Sequence, residues 1–355
     1  MKVAVDIGPL KSGDNVRGIG VYTRELVNTL ESIQKTGSNK FELYPVDYFD
    51  HQPSSVNHYD VIHFTRFNPF SISVPLKKPK NIKFVLTIYD LIPLIYPDNY
   101  PPGFRGWINW QINKFLIKRN IDAIITISET SKKDICRFIG INPDKVYVTY
   151  LAARPIFKKL EIGNWELEIK KHYGLPDRFA LYVGDINYNK NLPVLIESCK
   201  IAKIPLVMVG KQILEIEKMD LNHSELGHLK NIDLSGLIRT GFVSDEDLVK
   251  IYNLATVYIQ PSLYEGFGLP LMEAFATGVP SIASKTQALV EIAGDAALFA
   301  DTKDTKNFAE KIKLLVSDSK LKEELIRKGL ENAKKYSWQK AAEETFRVYR
   351  KISNF

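Results

Sequence analysis

The sequence predicts an α/β protein of two doubly wound parallel sheets, and three observations predict it. Short β-branched runs alternate with longer segments of helical periodicity, the pattern of a parallel sheet covered by helices on both faces. The alternation occurs twice, on either side of a break near Ala153–Gly163. The length of 355 residues exceeds one average domain and suits two, each with its own core.

In order along the chain, the first set of strand-like runs reads V-A-V-D-I, F-E-L-Y-P-V, D-V-I-H-F, F-V-L-T-I-Y-D, A-I-I-T-I-S and K-V-Y-V-T-Y. Amphipathic segments at Gly20–Glu31, Arg105–Arg119 and Glu129–Ile139 fall between them. The second set reads F-A-L-Y-V-G, L-V-M-V-G, T-V-Y-I-Q-P-S, P-S-I-A-S and A-L-F-A. Residues 1–160 are expected to form a first domain and residues 161–335 a second, with a cleft between them. In open α/β sheets ligands bind beyond the carboxyl ends of the strands, so motifs just after a strand carry the most weight.

Composition narrows the class. Hydrophobic content of 45% and charged content of 25% are ordinary for a soluble globular protein. Two cysteines, Cys136 and Cys199, have no framework spacing and point to a reducing compartment, with neither a disulfide scaffold nor a zinc site. Met1 runs straight into an apolar strand with no basic-then-apolar leader. No run reaches the ~18–20 apolar residues needed to span a bilayer. The expected location is cytoplasmic, soluble or peripheral at the inner face of a membrane.

Charge is uneven. Residues 1–160 carry 22 basic and 14 acidic side chains, an excess of +8, whereas the remainder carries 26 and 27. The excess points to an anionic partner of the first domain, with a solubilising surface as the alternative. The K-K-P-K-N-I-K run at Lys77–Lys83, with Trp107 and Trp110 on the amphipathic segment that follows, suggests contact with an anionic membrane surface. No zinc-finger, homeodomain or RNA-binding signature supports nucleic acid.

The chemistry concentrates in P-S-L-Y-E-G-F-G-L-P-L-M-E-A-F-A-T-G, Pro261 to Gly278. Thr256–Gln260 reads as a strand. Leu269–Thr277 reads as a helix, with Pro270 tolerated in its first turn and Gly278 suited to its C-cap. At Gly266 and Gly268 the backbone can approach a ligand closely, and the free amides at the helix start make an anion site suited to phosphate. Glu265 precedes the turn and Glu273 lies about one helical turn inside. Neither carboxylate favours a diphosphate, but an ionised carboxylate accepts two donors from a vicinal diol. A nucleotide sugar supplies a ribose diol, a diphosphate and a sugar in that order. The structural alternative makes Glu265 a surface residue and Glu273 a buried ion-pair partner.

The run from Val243 to Ala300 resembles the retaining glycosyltransferases of family 4, whose signature is two glutamates with seven residues between them around Gly-Phe-Gly. L-Y-V-G-D-I-N-Y-N-K-N-L at Leu181–Leu192 and R-G-I-G-V-Y-T-R-E-L at Arg17–Leu26 resemble the family too. The resemblance implies a GT-B fold of two Rossmann-like domains with an inter-domain cleft. It implies an acceptor-binding first domain, a nucleotide-sugar-binding second domain, and a final helix, within residues 336–355, that returns to the first.

It also implies roles for residues. Glu265 would hold the donor sugar's hydroxyls near the reacting carbon, and Glu273 the ribose diol. Gly266 and the amides of Phe267, Gly268 and Leu269 would lie near the sugar and diphosphate, with Val243 in the segment near the base. Lys190, after the strand A-L-Y-V-G, matches the donor-phosphate lysine, where a cation and free amides neutralise a leaving diphosphate. A solvated surface lysine is the alternative. Gly18 and Gly20 open a helix and would face phosphates or acceptor; as a dinucleotide fingerprint the turn lacks its third glycine. His63 ends a first-domain strand and either lines the acceptor side or is a satisfied structural histidine.

Two departures stand out. Tyr89-Asp90 occupies the place where many members have His-Asp, and Asp185 follows Gly184 where many have Arg. Asp245-Glu246-Asp247 superficially matches an Asp-x-Asp metal motif, but Ser244 with Asp247 three residues on reads as a helix capping box. No metal and no cofactor are expected. The resemblance thus implies a metal-independent, retaining hexosyltransferase that uses a nucleoside diphosphate sugar and a saccharide or lipid-linked acceptor. The T-I-Y-D-L-I-P-L-I-Y-P run most resembles bacterial or archaeal members that build mannose-containing surface polysaccharides, which implies GDP-mannose as the donor. The alternatives are a catalytically silent GT-B subunit and a glycosidase. The second is disfavoured because its two carboxylates must flank the scissile bond.

Overall fold

The computed structural model describes residues 1–36, 41–49, 58–161 and 163–353. It divides into two compact units: Met1–Pro97 with Pro101–Leu151 and Ser337–Phe355, and Asp98–Tyr100 with Ala152–Tyr336. The division differs from the sequence reading at two places, because residues 152–160, expected in the first domain, and the three residues Asp98–Tyr100 group with the second unit.

Unit 1 holds six strands: β1 (Lys2–Asp6), β2 (Glu42–Val46), β3 (Val61–Phe64), β4 (Lys83–Thr87), β5 (Ala123–Thr126) and β6 (Val146–Val148). They form one sheet in the order β2-β1-β3-β4-β5-β6, every pairing parallel. Helices cover both faces of such a sheet, so central strands are apolar almost throughout rather than alternating. Val3, Ala4 and Val5 of β1 and all four residues of β3 are buried accordingly. The final helix, Trp338–Ser353, belongs to this unit. Phe346 packs on Phe41 with ring centroids 4.6 Å apart, and Trp338 meets Tyr22 edge-on at 6.2 Å.

Unit 2 repeats the design with β7 (Ala180–Val183), β8 (Leu206–Val209), β9 (Ile238–Gly241), β10 (Val257–Gln260), β11 (Ser281–Ser284) and β12 (Ala297–Ala300). Their order is β12-β11-β10-β7-β8-β9. β9 was not anticipated. It is an edge strand whose Ile238, Arg239 and Thr240 are only half-buried, so its sequence carries neither a continuous apolar run nor a clear alternation. For function the decisive neighbours are β7 and β10, parallel partners with Tyr258 beside Leu181. Parallel strands send the loops that follow them off the same edge of the sheet, so the Lys190 loop and the Glu265 loop emerge side by side.

Candidate functional site

Two asparagines join those loops. Asn189 accepts the Leu263 amide on its backbone carbonyl at 2.8 Å and donates its side-chain amide to Tyr264 O at 3.1 Å. Asn191 donates to Pro261 O at 2.9 Å and to Thr302 O at 2.7 Å. It does so from a left-handed conformation, φ +56°, which asparagine tolerates better than most residues. Lys190, held between them, places Nζ 2.6 Å from Glu265 Oε1.

Glu265 is 8% exposed. Besides Lys190, its Oε1 accepts from Ser262 Oγ at 2.7 Å and from Gln260 Nε2 at 2.9 Å. Gln260 is oriented for this because Tyr258 donates to its carbonyl oxygen at 2.8 Å. Three donors thus converge on one carboxylate oxygen. Among the described residues Oε2 takes no hydrogen bond. The carboxylate is anchored through one oxygen and presents the other, as recognition of a hydroxyl requires.

Past Glu265 the chain turns at Gly266-Phe267-Gly268 into the helix Leu269–Ala276, with Gly268 as N-cap and Pro270 in the first turn. Gly268 has φ +101°, a conformation that favours glycine, and a Cβ there would also press to 2.6 Å from the tip of the Leu289 side chain. Phe267 is buried against Tyr336 at 6.1 Å between ring centroids. Pro270 has no N–H and the Leu271 and Met272 amides meet Gly268 O at 3.0 and 3.2 Å, which among the described residues leaves the Leu269 amide as the one at this helix start with no acceptor one turn back.

Glu273 sits in a different electrostatic setting. It is 5% exposed; Arg154 Nη2 lies 3.7 Å from Oε1 and Tyr252 Oη 3.3 Å from Oε2. The same Tyr252 hydroxyl, with its single proton, also lies 3.1 Å from Pro270 O. Arg154 is drawn to Asp245 at 2.5 Å and stacks over Phe157 at 4.9 Å. Burial therefore pushes the Glu273 carboxyl up to about 7, with the Arg154 charge and the Tyr252 bond opposing.

The acidic stretch beside Arg154 is a helix start. Ser244 caps Asp245–Leu254 by accepting from Asp247 N at 3.2 Å, while Asp247 accepts from Tyr173 at 2.8 Å and pairs with Lys250 at 3.4 Å. Val243, just before this cap, is buried.

In unit 1 the surroundings of His63 favour the second of its two readings, a satisfied structural histidine. His63 is fully buried, with Nδ1 2.6 Å from Tyr349 Oη and Nε2 2.7 Å from Thr87 Oγ1. Burial pushes its pKa down to about 3, so it is a neutral structural histidine joining β3, β4 and the final helix rather than a group on the acceptor side. Tyr89 donates to Thr65 O at 2.7 Å, and burial raises its pKa well above the usual phenol value. Asp90 accepts from Ile92 N at 3.1 Å at the start of a short helix. Gly18 has open space around it. Gly20 is fixed by packing, since a Cβ would lie 2.4 Å from Asp14 O and 2.5 Å from Asn15 O.

Sequence reading missed Asn189, Asn191, Gln260, Ser262 and Arg154. The polar pair Gln260 and Ser262 offered a signal, because both interrupt an apolar strand end just before Glu265. Arg154, in the segment joining the two sets of strands, offered none.

Comparison with known proteins identifies the two domains. Residues 166–332 match the family described as "Glycosyl transferases group 1", and residues 50–152 match "Glycosyltransferase Family 4". The chain is 30% identical over 288 residues to the serotype-specific mannosyltransferase WbdA of Escherichia coli, covering 77% of this chain but 34% of the relative, so it spans about a third of that protein's length. It is 28% identical to the O-antigen chain mannosyltransferase B of Escherichia coli, covering 75% of this chain and 70% of the relative. The fold matches HepE of Anabaena, solved with UDP and glucose, at a TM-score of 0.67 and 14% identity over the whole of both chains. Its two sheets are those of the GT-B fold, and the chain belongs to the glycosyltransferases that the group 1 and family 4 domains define.

Proposed function

We propose that the protein transfers a hexose, with retention of anomeric configuration, from a nucleoside diphosphate sugar to an acceptor hydroxyl. The carrying observation is the pair of buried glutamates on either side of one glycine turn, the first anchored through a single oxygen beside Lys190. In this reading Glu265 Oε2 accepts from the donor sugar's hydroxyls and Glu273 from the ribose diol. Lys190, with the amides of Phe267, Gly268 and Leu269, stabilises the departing diphosphate as negative charge develops. The acceptor oxygen bonds to the anomeric carbon on the face the phosphate leaves, and the phosphate oxygen takes its proton. No side-chain nucleophile and no metal is required.

Mannose is the proposed sugar and GDP the nucleotide. Two relatives named as mannosyltransferases support the sugar, although HepE was solved with UDP and glucose. The proposed acceptor is a saccharide or lipid-linked hydroxyl, met by unit 1 at an anionic membrane surface. No helix among the described residues is long and apolar enough to cross a membrane. Incubating the protein with a panel of nucleotide sugars, with EDTA present, tests the reading. Nucleotide release greatest with GDP-mannose is expected. Release that needed added magnesium or manganese would contradict the metal-independent mechanism, and no release from any donor would favour a silent subunit.

A further inference from the structure

The loop that carries Lys190 is a single tight turn, Tyr188–Lys190, and Asn187 before it makes no side-chain capping bond. The turn therefore depends on its neighbours for its shape. Asn189, at its centre and 4% exposed, gives its side-chain N–H to Tyr264 O and its carbonyl to Leu263 N. Its amide oxygen and backbone N–H need partners too. One hydroxyl serves both: Tyr100 Oη donates to Asn189 Oδ1 at 2.9 Å and accepts from Asn189 N at 3.4 Å.

Tyr100 ends the three-residue segment Asp98–Tyr100 that groups with unit 2. The chain around it reads P-D-N-Y-P-P, Pro97 to Pro102. Proline fixes its own φ and biases the residue before it toward extended backbone, so Tyr100 has little freedom to lose on docking. Asn99 anchors the segment further. Its side chain reaches Ser224 O at 3.5 Å, and its carbonyl accepts from Ser224 Oγ at 3.2 Å. The stretch from Ser224 to His228 also meets the Lys190 loop, with His228 edge-on to Tyr188 at 5.5 Å between ring centroids.

We propose that Tyr100 is a positioning residue for the transfer reaction: its hydroxyl fixes Asn189 and so holds Lys190 Nζ 2.6 Å from Glu265 Oε1. Lys190 follows Asn189 by one peptide bond, so any rotation of the Asn189 backbone carries the lysine stem with it. Without the phenol hydroxyl a buried amide oxygen and N–H lose their partner, and the turn must shift to regain one. A displaced cation stabilises a leaving diphosphate less, while contacts that bind the rest of the donor stay in place. The proposal rests on the proposed function for the role of Lys190 and adds the residue that places it.

Tyr100→Phe keeps the ring and removes the hydroxyl. Nucleotide release from the best donor of the nucleotide-sugar panel should show kcat lower by about tenfold, with the donor KM within about twofold. A merely structural tyrosine would act independently of the lysine, so the variant is also made in the Lys190→Ala background. There Tyr100→Phe should cost less than about twofold more, because the group it positions is gone. A second readout needs no turnover. Reductive methylation of Lys190, followed by peptide mass spectrometry, should be at least about threefold faster in Tyr100→Phe, because a loosened ion pair frees the amine. Lys200, paired with Asp233 elsewhere in unit 2, serves as the internal reference. Unchanged kcat, a full tenfold loss on top of Lys190→Ala, or an unchanged methylation ratio would overturn the proposal. Should the unsubstituted protein turn over no donor, the proposed function falls by itself. Faster methylation would then still support the positioning role, and an unchanged ratio would still overturn it.

Discussion

Glu265 just before the glycine turn and Glu273 one helical turn beyond it are almost equally buried, yet their surroundings differ. Three donors, one of them a lysine at 2.6 Å, crowd a single oxygen of Glu265. Glu273 has an arginine at 3.7 Å that is also engaged by Asp245, and a phenol facing two acceptors. Burial alone therefore does not settle what a carboxylate does. The number and distance of donors decide how firmly its charge is held, and the weakly supported group gains most from a ligand that brings hydroxyls.

The largest expected effect comes from removing the cation on the strongly supported side. Lys190→Ala leaves Glu265 with two neutral donors and, in the proposed mechanism, removes the charge facing the leaving phosphate. Turnover should fall by roughly 10²–10³, measured as nucleotide release. Tyr89→Phe, which removes one hydrogen bond in unit 1, should stay close to the unsubstituted rate. Equal rates in the two variants would erase the distinction between the sites.

Next comes pH. The Glu273 carboxyl is raised from 4.5 to about 7 in the folded protein. Between those values the native state holds a proton that the unfolded chain has lost, so this group's contribution to stability is full below about 4.5 and is lost as pH rises through about 7. The span corresponds to about 3 kcal/mol. Thermal unfolding between pH 5 and 8 should show this decline in the unsubstituted protein, and Glu273→Gln should lack it. Donor affinity should run the other way, rising with pH as the diol acceptor becomes ionised. A melting temperature whose pH dependence is the same with glutamine would refute the assignment.

The smallest effect is expected at Arg154. Replacement by lysine keeps a charge but gives up the planar fork that reaches both Asp245 and Glu273 and stacks on Phe157. A stability loss of about 1 kcal/mol is expected, with a further rise in the Glu273 pKa readable from the same pH series.

The contrast between the glutamates was only half legible in the sequence. Their positions were, because a strand, a glycine turn and a helix punctuated by Pro270 and Gly278 are written in local chemistry. What holds each charge was not. Lys190 lies 75 residues from Glu265 and Arg154 lies 119 before Glu273, and only the neighbouring of β7 with β10 and the return of the 152–160 segment bring them close. The same holds for His63, whose partner Tyr349 is 286 residues away. Its residue type suggested chemistry, while its strand position in the middle of a covered sheet made it core. β9 escaped for the opposite reason, since an edge strand needs too little burial to leave a pattern.

Steady-state kinetics with varied donor, run on Glu265→Gln and Glu273→Gln side by side, tests the central claim most directly. Glu265→Gln should lower kcat. Glu273→Gln should raise KM for the donor by the equivalent of roughly 1.5–3 kcal/mol with kcat largely kept. The same defect in both variants, whether in kcat or in KM, would contradict the division of labour between the two carboxylates.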